Sequence, residues 1–379
     1  MKRMFVSAAL VALLVATSCA GLGSKSESDI ASKKQEAPKR QGWEDDFGPL
    51  YGDVESFTYT RYDVADKFGE IVKGKCCEKL VYKFNLKGDV AEMAGYNDDG
   101  SLYWKYLSKY DSQGNEVEWA SYNDDGSLDR KYLYKYDSVG NKIEGVGYNG
   151  DGSLDWNHHY KYDSQGNEIE WAEYNGDGSL HRKCLYKYDS VGNNIEWAEY
   201  NGDGSLHRKC LYKYDSQGNQ IESVSASYYG DDSLCIKFLS KYDSVGNKIE
   251  SAKYNGNGSL YSKDVYKYDS QGNEVEWALY NGDGSLSEKS LYKYDSVGNK
   301  IESVGYNGDG SLSRKEVYKY DSQGNEVEWA EYNGDGSMRE KEVYKYDSQG
   351  NMIEKVCYVK GIMRMRPSYM EERIIVYRK

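Results

Sequence analysis

A tandem repeat constrains the fold of this chain more than any other feature. Tyr-Asp pairs recur along it at a constant spacing of twenty-six positions, as from Tyr110 to Tyr136, and only one of the intervals is longer, by two positions. One copy, which starts at Tyr160, reads YKYDSQGNEIEWAEYNGDGSLHRKCL. Self-similarity at a fixed period indicates one supersecondary unit repeated along an array. The pairs begin at Tyr110, Tyr136, Tyr162, Tyr188, Tyr214, Tyr242, Tyr268, Tyr294, Tyr320 and Tyr346.

Each unit contains two turn signals with strand-like segments between them. The first signal is Asp163-Ser164-Gln165-Gly166, and the second is Asn175-Gly176-Asp177-Gly178. Both place Asp or Asn at the first turn position and Gly at the fourth, which is typical of type I turns. Segments of about eight residues rich in Tyr, Val, Ile, Leu and Trp separate the turns, a length and composition typical of strands. The sequence therefore predicts an all-β fold, a long antiparallel meander of tandem β-hairpin repeats with a period of twenty-six.

The global shape of the meander stays open at this point. More than twenty strands at about 4.8 Å each would make a flat sheet about 100 Å long, and open sheets of this size rarely stay flat. We expect the sheet to twist, to spiral or to close on itself. Within one strand Ile169 and Trp171 share a face, while Ala172 and Tyr174 share the other. The one longer unit carries its two extra residues in 223–228, and an even insertion keeps every side chain on its face.

The N-terminus has the pattern of a targeting segment. Met1-Lys2-Arg3 is basic, Phe5 to Ala16 is a mostly apolar run too short to span a bilayer, and Ala16 to Cys19 is similar to a lipobox. We expect residues 1–19 to be a lipoprotein-type signal peptide with Cys19 as the acylated residue. The alternative is ordinary signal-peptidase cleavage nearby. Either way, the mature protein is predicted to be exported, and in the first case lipid-anchored to a bacterial membrane, periplasmic or surface-exposed.

The remaining chain divides into four predicted parts. Residues 20–42 have almost no large apolar side chains and are predicted to be a flexible tether. Residues 43–81 form a degenerate N-terminal repeat or cap, residues 82–358 form the tandem repeats, and residues 359–379 form a C-terminal cap strand. Within the last part, 371–378 is expected to be a charged edge strand that blunts edge pairing.

The repeat units resemble YD repeats, which occur in bacterial RHS proteins and related surface and toxin proteins. The resemblance covers about Tyr82 to Tyr358 and rests on segments such as YDSVGNNI, which begins at Tyr188, and on the following Gly202-Asp203-Gly204 turn. This chain has Asn after the Gly, where Arg is frequent in the family. The resemblance implies a hairpin sheet that can spiral into a shell, and contact with carbohydrate or a cell surface. The units also show a weaker resemblance to MORN-type repeats.

Catalytic, metal and cofactor sites are not predicted. Carboxylates recur at every turn, whereas a catalytic pair needs two carboxylates in different environments within one pocket. The Asn-x-Asp-Gly-Ser turns offer two oxygen ligands each and lack the Glu that completes a calcium loop, so turn chemistry is the favoured explanation. The net charge of −13 disfavours nucleic acid and direct adsorption to anionic lipid. We therefore expect no enzyme activity, no cofactor and no metal.

The histidines and cysteines of two adjacent units raise a zinc hypothesis. His181 and His207 occupy one slot, and Cys184 and Cys210 another. On one strand, however, His181 and Cys184 would point to opposite faces. In a meander, Cys184 and Cys210 lie two strands apart, about 9.6 Å, beyond the roughly 7 Å limit for a disulfide. In a solenoid with one unit per coil they would be one strand apart and could bond.

Five tryptophans share one slot and are the candidate ligand-binding residues. Repeated aromatics can stack on sugar rings, although packing between sheet layers is the favoured alternative. The predicted function is a non-enzymatic cell-envelope or surface repeat lipoprotein that binds or scaffolds, either adhesin-like or carbohydrate-contacting. Its partner would be a cell-surface glycan or protein, with membrane contact through the anchor alone. The alternative is a shell or immunity-type component of a YD-repeat toxin system. The tryptophans are Trp119, Trp171, Trp197, Trp277 and Trp329.

Overall fold

The computed structural model of the chain is an all-β protein of 24 antiparallel strands, which confirms the predicted hairpin meander. It describes residues 39–43, 47–229, 232–361 and 364–379. The predicted signal peptide, Cys19 and most of the predicted tether lie outside these residues. No helix in the described ranges has both the length and the apolar character needed to cross a membrane.

The strands follow one another with short turns between them. In chain order they are β1 (Val54–Lys67), β2 (Glu70–Phe84), β3 (Val90–Tyr96), β4 (Leu102–Tyr110), β5 (Glu116–Tyr122), β6 (Leu128–Tyr136), β7 (Lys142–Asn149), β8 (Leu154–Tyr162), β9 (Glu168–Asn175), β10 (Leu180–Tyr188), β11 (Asn194–Asn201), β12 (Leu206–Tyr214), β13 (Gln220–Tyr229), β14 (Asp232–Tyr242), β15 (Lys248–Tyr254), β16 (Leu260–Tyr268), β17 (Glu274–Asn281), β18 (Leu286–Tyr294), β19 (Lys300–Asn307), β20 (Leu312–Tyr320), β21 (Glu326–Asn333), β22 (Met338–Tyr346), β23 (Met352–Lys360) and β24 (Met365–Tyr377).

The Asp-Ser-x-Gly-Asn turns are held by the side chain of their first residue. The Asp189 carboxylate accepts hydrogen bonds from the backbone N–H groups of Val191 and Asn193 and from the Asn193 side-chain amide, at 2.9–3.0 Å. Gly192 takes a φ of 92°, a conformation that glycine adopts without steric cost. These turns form one rim of the sheet, and the Asn-x-Asp-Gly-Ser turns form the other. Local turn chemistry thus fixes where each strand begins and ends.

The tyrosine hydroxyl of each Tyr-Asp pair donates a hydrogen bond to a backbone carbonyl that lies beyond the last residue pair of its hairpin. The last ladder pair between β9 and β10 at this rim joins Glu170 to Leu185. The carbonyl oxygen of Glu168 lies beyond it and accepts a hydrogen bond of 2.8 Å from the Tyr188 hydroxyl. The same bond recurs in each unit from Tyr110 to Tyr346. The Tyr-Asp signature is therefore a structural element of the hairpin.

The sheet closes on itself, which settles the global shape that the sequence left open. Consecutive strands pair along the chain, and β1 pairs with β24 as well as with β2. The expectation of an edge strand at 371–378 was wrong, because Glu372 lies opposite Thr60 on β1 and opposite Glu354 on β23. Closure removes the free edge that the predicted charges would have protected.

The register sets the tilt and width of the closed sheet. Leu107 lies beside Ala120, and Ala120 lies beside Lys131. The repeat equivalent of Leu107 is Leu133 rather than Lys131, so each two-stranded unit steps two residues along the strand direction. A register step of one residue per strand tilts the strands of a closed sheet by about 36° from its axis. With strands about 4.8 Å apart, a circular cross-section of 24 strands is roughly 45 Å across.

The handedness of the sheet identifies its inward face. The N–H of Asn175 donates to Ser179 and so points toward β10, and the N–H of Trp171, four residues earlier, points the same way. Consider the sheet seen from the side on which Trp171 lies, with β9 running upward; the chirality of L-amino acids then places β10 to the right of β9. In this view each unit lies lower than the unit on its left, so the strands lean to the upper left relative to the axis of the closed sheet. Strands of normal twist lean to the upper right when a closed sheet is seen from outside, so this view is from inside and Trp171 faces inward.

The larger of two hydrophobic clusters in the described residues lies at the seam where the sheet closes, and a smaller one surrounds Trp197. Trp43, Phe47 and Leu50 pack against a cluster on β1, β2 and β3 that includes Phe57 and Tyr82. We call 39–53 the N-terminal segment. The largest side chains with under 2 % exposure lie at this seam, whereas the aromatic side chains further round the inward face are mostly half-buried. The interior away from the seam is therefore open to solvent.

The one longer unit fits into the ring without disturbing the faces. Its two extra residues lengthen the hairpin of β13 and β14, which pair without the register shift found in the other hairpins. Ser223 lies opposite Phe238, an inward position, and Glu222 lies opposite Leu239, an outward position. The prediction that an even insertion preserves the faces is confirmed.

Candidate functional site

The outward face repeats almost without change from unit to unit. The Glu196 carboxylate lies 2.9 Å from the Lys187 amine and 3.2 Å from the Lys209 amine, so one glutamate bridges two lysines on neighbouring strands. The Lys187 side chain is 66 % exposed, and exposed pairs of this kind each contribute about 0–1 kcal/mol. Every unit has a glutamate at this outward position, namely Glu92, Glu118, Glu144, Glu170, Glu196, Glu222, Glu250, Glu276, Glu302, Glu328 and Glu354.

The inward face varies strongly at two positions of the even-numbered strands, those of Arg182 and Cys184 on β10. Aromatic, basic, thiol, apolar and acidic side chains all occur there, so the units differ chiefly inside the closed sheet. From β4 to β22, the position of Arg182 holds Trp104, Arg130, Trp156, Arg182, Arg208, Ile236, Ser262, Glu288, Arg314 and Glu340. The position of Cys184 holds Tyr106, Tyr132, His158, Cys184, Cys210, Phe238, Asp264, Ser290, Glu316 and Glu342.

Aromatic rings form a continuous ladder on the inward face of β4 to β9. The closest contacts are between stacked rings on the same or adjacent strands: Trp104 on Tyr106 at 4.5 Å, Trp119 on Tyr132 at 4.8 Å, and Trp156 on His158 at 4.1 Å between centroids. Tilted contacts of 5.0–5.1 Å connect these pairs into one row. Offset aromatic pairs contribute about 0.5–1.5 kcal/mol beyond burial, so the ladder stabilises these six strands.

The five tryptophans of the shared slot all lie on the inward face. Their rings pack on neighbours within the one sheet, rather than between two sheet layers. Trp119 is stacked on Tyr132, the Arg182 guanidinium lies 4.8 Å over the Trp171 ring, and the Arg208 guanidinium lies 5.5 Å over Trp197. Ligand binding by Trp119, Trp171, Trp197, Trp277 and Trp329 stays a prediction.

Beside the aromatic ladder, inward charges are paired. The Arg182 guanidinium lies 2.6 Å from the Glu173 carboxylate and 3.7 Å from the Glu199 carboxylate on the next unit. Burial alone would raise the pKa of Glu173, but the neighbouring His158 and Arg182 side chains outweigh it and lower that pKa to about 2. The cations beside Glu173 therefore hold it in its charged form.

A lysine and a glutamate face each other at reduced solvation near the Asp-Ser rim. Burial raises the pKa of Glu116 and lowers the pKa of Lys142. The Lys142 amine lies 4.0 Å over the Tyr134 ring, a cation–π contact on the inward face. These groups lie on the same half of the sheet as the aromatic ladder.

A different cluster lies on β22 and β23. Among the described residues, Glu340, Glu342 and Cys357 bring ligand atoms within 4.8 Å of one another, as a metal site would require. The Cys357 thiol lies 3.0 Å from Glu340, and burial together with that carboxylate raises the pKa of Cys357 to about 12. Lys355 at 2.7 Å and the Tyr344 hydroxyl at 2.5 Å already bind Glu342. This cluster has the chemistry of an internal hydrogen-bond network, and the sequence analysis missed it.

The structure does not join the histidines and cysteines into the hypothetical zinc site. His181 sits at a register shift between Leu180 and Arg182 and is exposed, whereas Cys184 is buried. Cys184 on β10 and Cys210 on β12 form no disulfide and lie on either side of β11, with Trp197 opposite Cys210. Of the two alternatives for this cysteine pair, the meander geometry is the one that the protein adopts.

The chain was compared with known proteins. No protein-family model and no curated protein matches it. It is similar in backbone to the TcdB2-TccC3-Cdc42 structure (14% identity, 81% of this chain and 19% of that chain, TM-score 0.32) and to the Photorhabdus luminescens Tc holotoxin pore (15%, 80% and 18%, TM-score 0.31). A porin-like protein from Bacteroides uniformis matches with 9% identity, 85% and 96% coverage and a TM-score of 0.23. The chain spans about a fifth of those toxin chains, and likenesses this distant support no functional conclusion.

Proposed function

We propose that this protein is a non-enzymatic shell of the bacterial cell envelope, anchored through Cys19, that binds its partner inside the closed sheet. The observation that carries the proposal is the contrast between the two faces. The outward glutamates and lysines repeat from unit to unit, whereas the inward positions of Arg182 and Cys184 differ in nearly every unit. A surface that recognises a partner needs side chains of specific chemistry, and on this sheet those side chains lie inside.

The exposure of the inward face supports access to it. Away from the seam, inward side chains such as Trp171 and Tyr186 are half-buried although the described residues form no second layer over them. Their remaining surface faces the interior. A closed sheet of this size leaves an interior wider than its own side chains fill, so a partner can reach the inward aromatic and charged groups.

The test compares inward and outward aromatic substitutions on the same strands. The variant Trp277→Ala with Trp329→Ala removes inward rings from β17 and β21, and Tyr280→Ala with Tyr332→Ala removes outward rings from those strands. The chain without residues 1–19 is applied to glycan, peptidoglycan and peptide arrays, with and without calcium. We expect saturable binding that the inward pair abolishes and the outward pair preserves.

The second candidate is the adhesin-like function, with binding on the outside. The outward tyrosines favour it, because Tyr280 presents its ring beside Lys263, whose amine lies 5.4 Å over that ring. Loss of array binding in the outward variant alone would assign the protein to this class and exclude interior binding. Retention of binding in both variants would remove the tryptophan slot from the candidate site.

A further inference from the structure

The interior has one strongly acidic side. Paired inward positions of the seven strands β16 to β22 carry eight carboxylates and two cationic side chains, and Arg339, at an unpaired position of β22, also reaches Glu331. The carboxylates are Asp264, Glu274, Glu288, Glu316, Glu326, Glu331, Glu340 and Glu342, and the cations are Lys300 and Arg314. We call this surface the acidic wall. On the outward face of the same strands, by contrast, Glu276 and Glu302 each bridge two lysines.

The opposite side of the interior is aromatic and balanced in charge. The seven strands β4 to β10 lie half a circumference from the acidic wall. Their inward paired positions carry three carboxylates and three cations alongside the aromatic ladder. These are Glu116, Glu168, Glu173, Arg130, Lys142 and Arg182. The two sides are built from the same repeat but differ in the charge of their inward side chains. The acidic wall is therefore a feature of particular units and does not follow from the repeat itself.

Cations of the protein compensate the acidic wall only in part. Arg314, Arg339 and Lys355 form ion pairs with Glu316, Glu331 and Glu342 at 3.7, 2.9 and 2.7 Å. Within the described ranges, no lysine or arginine pairs with Asp264, Glu288 or Glu340. Burial, and then the charge of Glu342, raises the pKa of Glu326, as expected for two neighbouring carboxylates. Positive charge placed here would relieve that repulsion.

We propose that the acidic wall binds a basic polypeptide segment inside the closed sheet, an inference that rests on the proposed interior-binding function. Lysine and arginine side chains complement carboxylates such as Asp264, Glu288 and Glu340. The inward rings of Trp277 and Trp329 offer cation–π contacts between them. An interior of roughly 30 Å, after subtracting side chains from a cylinder of roughly 45 Å, admits an extended chain or a helix about 10–12 Å wide.

The experiment measures binding of a fluorescein-labelled 16-residue oligolysine by anisotropy at 0.15 M NaCl. The protein is the chain of residues 20–379, which includes every described strand. An inward triple variant, Asp264→Asn with Glu288→Gln and Glu316→Gln, removes three charges but keeps the acceptor atoms that Trp277 and Tyr318 use. An outward triple variant, Glu276→Gln with Glu302→Gln and Glu328→Gln, removes the same charge from the other face and serves as the matched control.

We expect the inward triple to weaken oligolysine binding at least tenfold and the outward triple to change it less than twofold. At this ionic strength the screening length is about 8 Å, so charges on the other side of the sheet contribute little. Equal weakening by both triples would assign binding to the net charge of −13 and overturn the proposal, as would unchanged binding in the inward triple.

The two proposals can fail separately. Absence of oligolysine binding to the unmodified protein overturns the acidic-wall proposal. If the Trp277 and Trp329 substitutions still abolish binding to another array component, interior binding stands and only the ligand class is wrong. If array binding depends on the outward tyrosines instead, both proposals fall together.

Discussion

At the scale of the residue, the tyrosine of each Tyr-Asp pair explains why this dipeptide recurs. Its hydroxyl caps the carbonyl left over at the rim, as Tyr136 does for Glu116 at 2.8 Å, while its ring fills the inward face. A buried carbonyl without a partner costs about 1–3 kcal/mol, so a phenylalanine at this position, which lacks the hydroxyl, would incur part of that cost. The sequence analysis identified the tyrosine as a family signature but gave it no role, since the bond joins residues twenty positions apart, at the open end of a hairpin.

These tyrosines predict a loss of stability in alkali. Burial, and then nearby carboxylates, raises the pKa of Tyr136, Tyr268, Tyr320 and Tyr346 to about 12. The unfolded chain releases these protons near pH 10, so the folded state binds more protons between pH 10 and 12. Stability is therefore fully present below pH 10 and falls as pH rises through that interval. Urea midpoints measured from pH 8 to 11.5 should show a plateau and then a steep decline, and a flat profile would contradict this account.

At the scale of the element, the repeated hairpins were predictable and the N-terminal segment was not. Each turn is set by residues within five positions of one another, as in Asp189 to Asn193, so local sequence suffices. The N-terminal segment instead binds distant groups: Tyr51 donates to Asn351 at 2.6 Å, and Arg373 donates to the Phe47 carbonyl at 2.6 Å. These contacts join opposite ends of the described chain, and neither partner in the N-terminal segment belongs to a repeated pattern.

The seam should therefore respond to substitution far more strongly than an equivalent exposed site. Phe57 is 1 % exposed and packs against Trp43, Phe47 and Tyr82 with centroids 4.9–5.9 Å apart. We expect Phe57→Ala to lower the free energy of unfolding by about 3–5 kcal/mol. Phe68, which is fully exposed at the tip of the β1–β2 hairpin, provides the control, and Phe68→Ala should cost under about 0.5 kcal/mol. Equal urea midpoints for the two variants would show that the seam is not the core.

At the scale of the whole molecule, closure and the division of the interior were beyond the sequence analysis. The alternation of Trp171 with Ala172 separated the two faces, but nothing local revealed which face is concave. Closure depends on the register step of two residues that each unit adds and on the pairing of β1 with β24. Neither of these two strands carries the full repeat signature. The acidic wall could have been found by reading the positions of Arg182 and Cys184 down the aligned units, where acidic residues gather from Asp264 onward.

Closure by equal steps predicts how the molecule tolerates changes in repeat number. Deleting residues 189–214 joins Tyr188 to Asp215 and removes β11 and β12 together with their two-residue step. The ratio of strands to steps, and hence the tilt, stays the same, so the remaining 22 strands should close into a cylinder about one-twelfth narrower. Small-angle scattering and size-exclusion chromatography should show a folded, slightly smaller particle with the oligomeric state of the full chain.

A deletion of half a unit should have the opposite effect. Removing residues 176–188 takes out β10 alone, so every later strand reverses direction relative to β1. The last strand would then run parallel to β1, and the antiparallel ladder between β1 and β24 could not form. The exposed edges should drive self-association, seen as a rise in particle mass with concentration. Equal behaviour of the two deletions would mean that the β1–β24 pairing does not hold the molecule closed, because only the half-unit deletion removes it.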